Sequence, residues 1–173
     1  MINLILGGVR SGKSRQAEQL ATKSNHPVIY IATATAGDEE MRQRIEVHRT
    51  QRPSTWTTVE VPLALAEALQ QHAQKECCII VDCLTLWLTN LLTRGDEARL
   101  KAEREALIDL LPKLDRELYL VSNETNSGVI PIDPLSRRFC YESGFLHQEI
   151  AKAADRVILM VAGLPQILRG EPL

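Results

Sequence analysis

Aromatic residues make up only 4% of this 173-residue chain, and neither sign of charge dominates: 20 lysines and arginines face 22 acids, for a formal net charge of -2. That balance excludes a bulk electrostatic partner such as DNA or an anionic membrane. Without basic stretches interleaved with aromatics there is also no stacking platform for nucleic acid. Any anion site must therefore be built locally. No apolar run approaches the ~20 residues that span a bilayer. Residues 2–6 are too short for a signal-peptide core and run straight into glycines. The expectation is a cytoplasmic protein with no membrane anchor. Cysteine is sparse as well. Cys77, Cys78, Cys83 and Cys140 contain no C-x-x-C pair, and three of them surround one apolar run. They read as small buried hydrophobes in a reducing compartment rather than as a metal or redox centre. Internal repeats, low-complexity tracts and linkers are missing too, so residues 1–173 read as a single domain.

What is present is an alternation of short apolar runs and amphipathic stretches. Runs at 2–6, 28–32, 77–81, 118–122 and 156–161 read as strands. Their apolarity is continuous rather than alternating, as in parallel strands covered on both faces. Helical stretches are expected at 13–23, from 38 to about 49, at 63–74, at 97–111 and roughly at 134–154. The second carries acids in its first turn and arginines later, matching the helix macrodipole. The β-α alternation predicts an α/β domain with a mostly parallel sheet and helices on both faces. Short connections then align the carboxyl ends of the strands along one edge, where ligands bind. Gly163-Leu164-Pro165 breaks the last strand, and residues 166–173 either add a short edge strand or fray.

The first strand ends in Gly7-Gly8-Val9-Arg10-Ser11-Gly12-Lys13-Ser14, the spacing of a phosphate-binding loop. Glycines let backbone N–H groups turn toward phosphate oxygens with no side chain in the way. The helix that begins near Lys13 aims its positive end at the same anion. Lys13 supplies a mobile cation, and Ser14 offers a hydroxyl to Mg²⁺. A partner carboxylate is expected at the end of another buried strand. Asp82, closing the run Cys77 to Val81, supplies one. It either associates with the magnesium or caps a following helix through Cys83-Leu84-Thr85.

A second constellation lies further on. Met41, Arg44, Ile45 and His48 share one helix face at i, i+3, i+4, i+7 spacing, and Arg44, Arg49 and Arg52 flank the histidine. A neutral imidazole is a nucleophile near neutral pH, and arginines can neutralise a phosphoryl group that it attacks. The same residues also suit a surface helix with a half-buried histidine.

The phosphate loop, then Tyr30-Ile31-Ala32-Thr33, then Arg44-Ile45-x-x-His48-Arg49-x-x-Arg52-Pro53 closely resemble the bifunctional adenosylcobinamide kinase/adenosylcobinamide-phosphate guanylyltransferase family. The likeness continues through Thr89-Asn90-Leu91-Leu92, Ser122-Asn123-Glu124 and Gly128-Val129-Ile130-Pro131 to Ala154-Asp155, covering nearly the whole chain in order. The resemblance implies a RecA-like phosphate-loop NTPase fold and an enzyme of cobalamin biosynthesis. Such an enzyme phosphorylates adenosylcobinamide, then transfers GMP from GTP onto adenosylcobinamide phosphate through a guanylylated histidine, releasing pyrophosphate. By the same resemblance the nucleophile is His48, with Lys13 as the other catalytic residue. Nucleotide contacts carry over onto Gly7, Gly8, Val9, Arg10, Ser11, Gly12, Lys13, Ser14, onto Ala32, Thr33, Ala34, onto Arg49, Thr50, Gln51, Arg52, onto Glu60 and onto Asp82. Mg²⁺ would be held by Ser14 and Asp82, partly through water, with ATP and GTP as substrates. A homotrimer is also implied.

Two departures stand out. Some members have two adjacent histidines where this chain has Val47-His48, and some have Glu at the position of Asp82. His26, His72 and His147 match no motif and read as structural or surface residues. Asn123 and Glu124 should lie at the ligand-binding edge, where Glu124 either orients a substrate hydroxyl, acts as general base, or caps its loop. Two rival functions fit the phosphate loop alone: a small-molecule kinase with no covalent intermediate, and a RecA-like ATPase module that couples nucleotide binding to assembly.

Overall fold

Residues 1–37, 39–50, 52–73 and 76–173 are described in a computed structural model, apart from the side chains of Glu40, Met41, Arg44, Ile45, Val47 and His48. Among them the chain forms β1 (Ile2–Gly7), α1 (Lys13–Lys23), β2 (Val28–Ala32), α2 (Glu39–Thr50), β3 (Thr57–Glu60), α3 (Leu65–His72) and β4 (Cys78–Asp82). It continues with α4 (Leu84–Thr93), α5 (Glu97–Leu110), β5 (Glu117–Asn123), α6 (Pro134–Ala153), β6 (Arg156–Val161) and β7 (Leu164–Arg169).

The strands build a 7-stranded sheet in the order β3-β2-β4-β5-β1-β6-β7. All neighbours pair parallel except β6 and β7, which run antiparallel. The apolar runs behave as expected for strands buried on both faces, because their side chains alternate between two separate cores. Leu4, Leu6, Ile31, Ile79, Val81, Leu118 and Leu120 face a cluster filled by α3, α4, α5 and α6. Ile5, Tyr30, Cys78, Ile80, Tyr119 and Val121 face the opposite cluster, filled by Ala17, Leu20 and Ala21 of α1. Cys77 and Cys78 are buried in these cores; Cys83 and Cys140 are partly buried, and all four are free thiols. Helix starts follow local chemistry. Asp96 accepts from Arg99 N at 2.9 Å at the head of α5, and Asp133 accepts from Ser136 N at 2.7 Å ahead of Pro134 in α6.

Three elements differ from the sequence reading. β3 is an exposed Thr-Thr-Val-Glu strand at the sheet edge. It has no apolar run to betray it and exists because β2 offers it a partner. α4 appeared only as the alternative in which Asp82 caps a helix; in its Leu-rich sequence Leu84, Trp87, Leu88, Leu91 and Leu92 are all buried, and the polar face is a narrow uncharged stripe of Thr85, Thr89, Asn90 and Thr93. β7 starts at Leu164, ahead of the tail, and accepts Pro165 because an edge strand can spare a ladder donor. The expected starts and ends at Asp38 and Gln74 lie outside the described residues.

Trp87 is fully buried, and its indole Nε1 donates to Leu63 O at 2.6 Å. Trp87→Phe removes this bond and strands a carbonyl, so urea unfolding should show a loss of about 1–3 kcal/mol.

Candidate functional site

Parallel register gathers the carboxyl ends of the strands into one line. Gly7 pairs with Asn123 and Met160, Ala32 pairs with Asp82 and Glu60, and Asp82 pairs with Val121. The phosphate loop leaves this edge from β1 and returns into α1. Gly7 has no room for a side chain, because a Cβ there would lie 2.6 Å from the Met160 carbonyl oxygen. Gly12, at φ 96°, provides the left-handed turn that starts α1. Gly8, Val9 and Arg10 form the exposed crest, and Ser11 is buried beneath it with its hydroxyl unpartnered. Gly163 N donates to Ser11 O at 3.0 Å, so the β6–β7 turn braces the loop.

Lys13 is largely buried and its Nζ donates to Gly8 O at 2.6 Å, lying across the loop. Burial pulls its pKa below the ordinary lysine value, while the nearby Asp82 carboxylate pulls it back up. Ser14 is partly exposed one residue into α1. Asp82 ends β4, and its Oδ2 accepts from Tyr30 Oη at 2.6 Å. The head of α4 has no side-chain cap. The carboxylate is thus engaged by a phenol of the neighbouring strand rather than by helix amides, and both it and the Ser14 hydroxyl are hard oxygen donors of the kind Mg²⁺ takes.

The loop after β2 is held tightly. Thr33 is buried, its hydroxyl donates to Cys83 O at 2.6 Å, and Cys83 N donates back to that hydroxyl at 2.9 Å. Asn90 Nδ2 donates to Thr33 O at 2.8 Å and Pro62 O at 3.1 Å. Ala32 and Ala34 are half-buried beside it, and Glu60 is exposed at the end of β3. The end of α2 reaches the same region. Arg49 and Thr50 are exposed, while Arg52 lays its guanidinium 3.6 Å from the centre of the Tyr30 ring. Trp56 stacks on the same tyrosine at 6.4 Å between centroids. The backbone of His48 lies in the last turn of α2; its side chain and all of Gln51 are outside the described residues.

Beyond Asn123, Glu124 N donates to Gly7 O at 2.9 Å, tying this loop to the phosphate loop. The Glu124 carboxylate accepts from Asn126 N at 2.9 Å and Ser127 Oγ at 2.8 Å, the loop-capping arrangement. An apolar groove of about 310 Å³ opens next to it, lined by Val129, Ile130, Tyr141 and Phe145.

The sequence reading missed the roles of Tyr30, Asn90 and Thr85. The first two sit inside quoted motifs, and only the fold reveals what they brace. His147 proves structural: it is buried in α6 with Nε2 2.8 Å from Ser122 Oγ, at the base of the Asn123 edge. Thr85 Oγ1 lies 3.4 Å from the same Ser122 hydroxyl and accepts from Asn123 N at 2.7 Å.

The family model described as cobinamide kinase / cobinamide phosphate guanyltransferase matches residues 3–168. The chain belongs to this family. The bifunctional adenosylcobalamin biosynthesis protein CobP of Pseudomonas aeruginosa is 57% identical over 173 residues, spanning 100% of both chains. CobU of Escherichia coli K12, named in the same way, is 37% identical over 95% of this chain and 97% of its own. Solved structures share the fold at low identity. The RadB recombinase superposes with a TM-score of 0.52 at 16% identity, over 91% of this chain and 73% of its own. The type III secretion ATPase EscN gives 0.53 at 14%, over 92% and 41%. The cobinamide kinase/guanyltransferase fold is thus the RecA-like phosphate-loop sheet, and the chain is a bifunctional kinase and guanylyltransferase of cobalamin biosynthesis. Among the described residues no helix is long and apolar enough to cross a membrane.

Burial holds the pKa of His147 below the ordinary 6.5. Between that lowered value and 6.5 the unfolded chain binds more protons than the folded one. Stability is therefore complete above about 6.5 and falls as the pH drops through that window. Urea midpoints followed from neutral pH to about 5 should decline in wild type and decline less in His147→Gln.

Proposed function

We propose that this chain phosphorylates the hydroxyl of adenosylcobinamide and then transfers GMP from GTP to the resulting phosphate, with His48 as the covalent carrier and both nucleotides using the phosphate-loop edge. The observation that carries the reading is the convergence of three elements on one sheet edge. These are the Gly7–Ser14 loop, the Asp82 carboxylate, and the end of α2 anchored by Arg52 on Tyr30.

In the kinase step the loop amides and Lys13 bind the terminal phosphates of ATP or GTP and neutralise charge as the γ-phosphoryl group moves to the substrate oxygen. Mg²⁺ would be held by Ser14 and Asp82, largely through water, and supplies charge neutralisation to the phosphates when bound. In the second step the imidazole of His48 attacks the α-phosphorus of GTP. A phosphoramidate bond forms, the α–β bridging bond breaks, and pyrophosphate leaves. The phosphate oxygen of adenosylcobinamide phosphate then displaces the imidazole, giving adenosylcobinamide-GDP and free His48. Arg49 in the last turn of α2 and Arg52 just beyond it serve as cations for the phosphates in transit. The apolar groove beside Glu124 suits the bulky apolar parts of the corrinoid, and assembly as a trimer belongs to the same reading.

His48→Ala should separate the two activities. Adenosylcobinamide phosphate should still form, within roughly tenfold of wild type because the phosphate loop is intact. Adenosylcobinamide-GDP should fall by a factor on the order of 10³ or more. The check is chromatographic assay of each product separately, and full guanylyl transfer by the variant would refute the covalent route. Lys13→Ala should abolish both products in a protein that remains folded by circular dichroism; unchanged turnover would sink the phosphate-loop assignment.

A further inference from the structure

Tyr30 is the residue at which the two halves of the site touch. It is 1% exposed, its hydroxyl donates to Asp82 Oδ2 at 2.6 Å, and its ring carries Arg52 on one contact and Trp56 on another. Core packing alone asks that a buried phenol find a hydrogen-bond partner. It does not ask that the partner be the carboxylate at the ligand edge, nor that a guanidinium sit on the same ring. The Arg52 guanidinium lies over the ring face, and the Glu18 carboxylate attracts it as well, so the ring is one of the contacts that hold this side chain in place. Arg52 follows α2 by two residues, and His48 lies in the last turn of α2. The seat of Arg52 is therefore the seat of the helix end.

We propose that Tyr30 is a positioning residue that couples the two half-reactions: its hydroxyl orients Asp82 toward the metal–phosphate group, and its ring anchors the helix end that carries His48. The hydroxyl occupies Oδ2 and leaves Oδ1 with no hydrogen-bond donor among the described residues. One carboxylate oxygen is thus aimed and the other is free for a metal-bound water. Burial and the adjacent carboxylate push the Tyr30 phenol above its ordinary value. The helix-anchoring half rests on the proposed role of His48; the Asp82 half does not.

Two variants of the full chain separate the contacts. Tyr30→Phe keeps the ring and removes only the hydroxyl. Mn²⁺ affinity of the GDP-bound protein, read from the electron paramagnetic resonance of free Mn²⁺, should weaken by about tenfold. The Mg²⁺ concentration for half-maximal kinase activity should rise in parallel, while the rate of guanylylation at saturating metal stays near wild type. Tyr30→Leu removes the ring as well. It should show the same metal shift and, in addition, a further loss of about tenfold in the guanylylation rate at saturating Mg²⁺, with kinase turnover much less affected. A purely structural tyrosine would lower the melting temperature and both activities together and leave Mn²⁺ affinity alone. Unchanged Mn²⁺ affinity in folded Tyr30→Phe overturns the proposal, and that variant decides alone if Tyr30→Leu does not fold. Equal losses of both activities in folded Tyr30→Leu overturn the coupling. If wild type forms no guanylylated protein, the proposed function fails at His48, and the Mn²⁺ measurement still tests the link between Tyr30 and Asp82.

Discussion

Parallel pairing of β1 with β5, in the register that sets Gly7 opposite Asn123, is the constraint on which the site depends. Six strands running the same way must be joined to one another by crossovers. Strands buried on both faces carry few polar residues until they emerge at the edge, and the buried Asn3 of β1 has its amide donating to Leu118 O. Polar residues therefore collect where the apolar runs end: Thr33, Asp82 and Asn123 all fall there, beside Gly7. The site needs no large electrostatic field, which agrees with a net charge of only -2. Loop amides, a helix start and one curled-back lysine supply the positive potential within a few residues.

The fold was legible because its central strands are continuous apolar runs, and a run such as Cys-Ile-Ile-Val ending in Asp82 has few other structural meanings. What escaped the sequence was of two kinds. β3 has no apolar signature and is created by its neighbour β2, so only tertiary pairing defines it. α4 is hidden by the opposite excess: its leucines and Trp87 dominate, and its polar stripe of Thr85, Thr89, Asn90 and Thr93 is narrow and uncharged. The phosphate loop was readable in full because each residue type in it answers a local demand of backbone geometry. Tyr30 and Asn90 were not, since their roles come from contacts 52 and 57 residues away in sequence.

The polar groups beneath the edge are braced in series. His147 holds Ser122, Ser122 lies against Thr85, and Thr85 accepts from the Asn123 amide. Asn90 ties the β2 loop to Pro62 in the same way. These contacts are buried or partly buried, where an unmade hydrogen bond is costly, and they brace the edge while the crest of the phosphate loop stays open. A catalyst that handles two phosphoryl chemistries on one edge gains from such a floor, because positioning carries most of the rate in both.

The central claim is that one edge serves both reactions through a histidine-bound nucleotide. The measurement that tests it most directly is intact mass of the purified protein after incubation with GTP and Mg²⁺ in the absence of corrinoid, followed by peptide mapping. The account predicts a single covalent GMP on the peptide containing His48, discharged when adenosylcobinamide phosphate is added. A protein that completes guanylyl transfer with no adduct, or with the label on another residue, would contradict it.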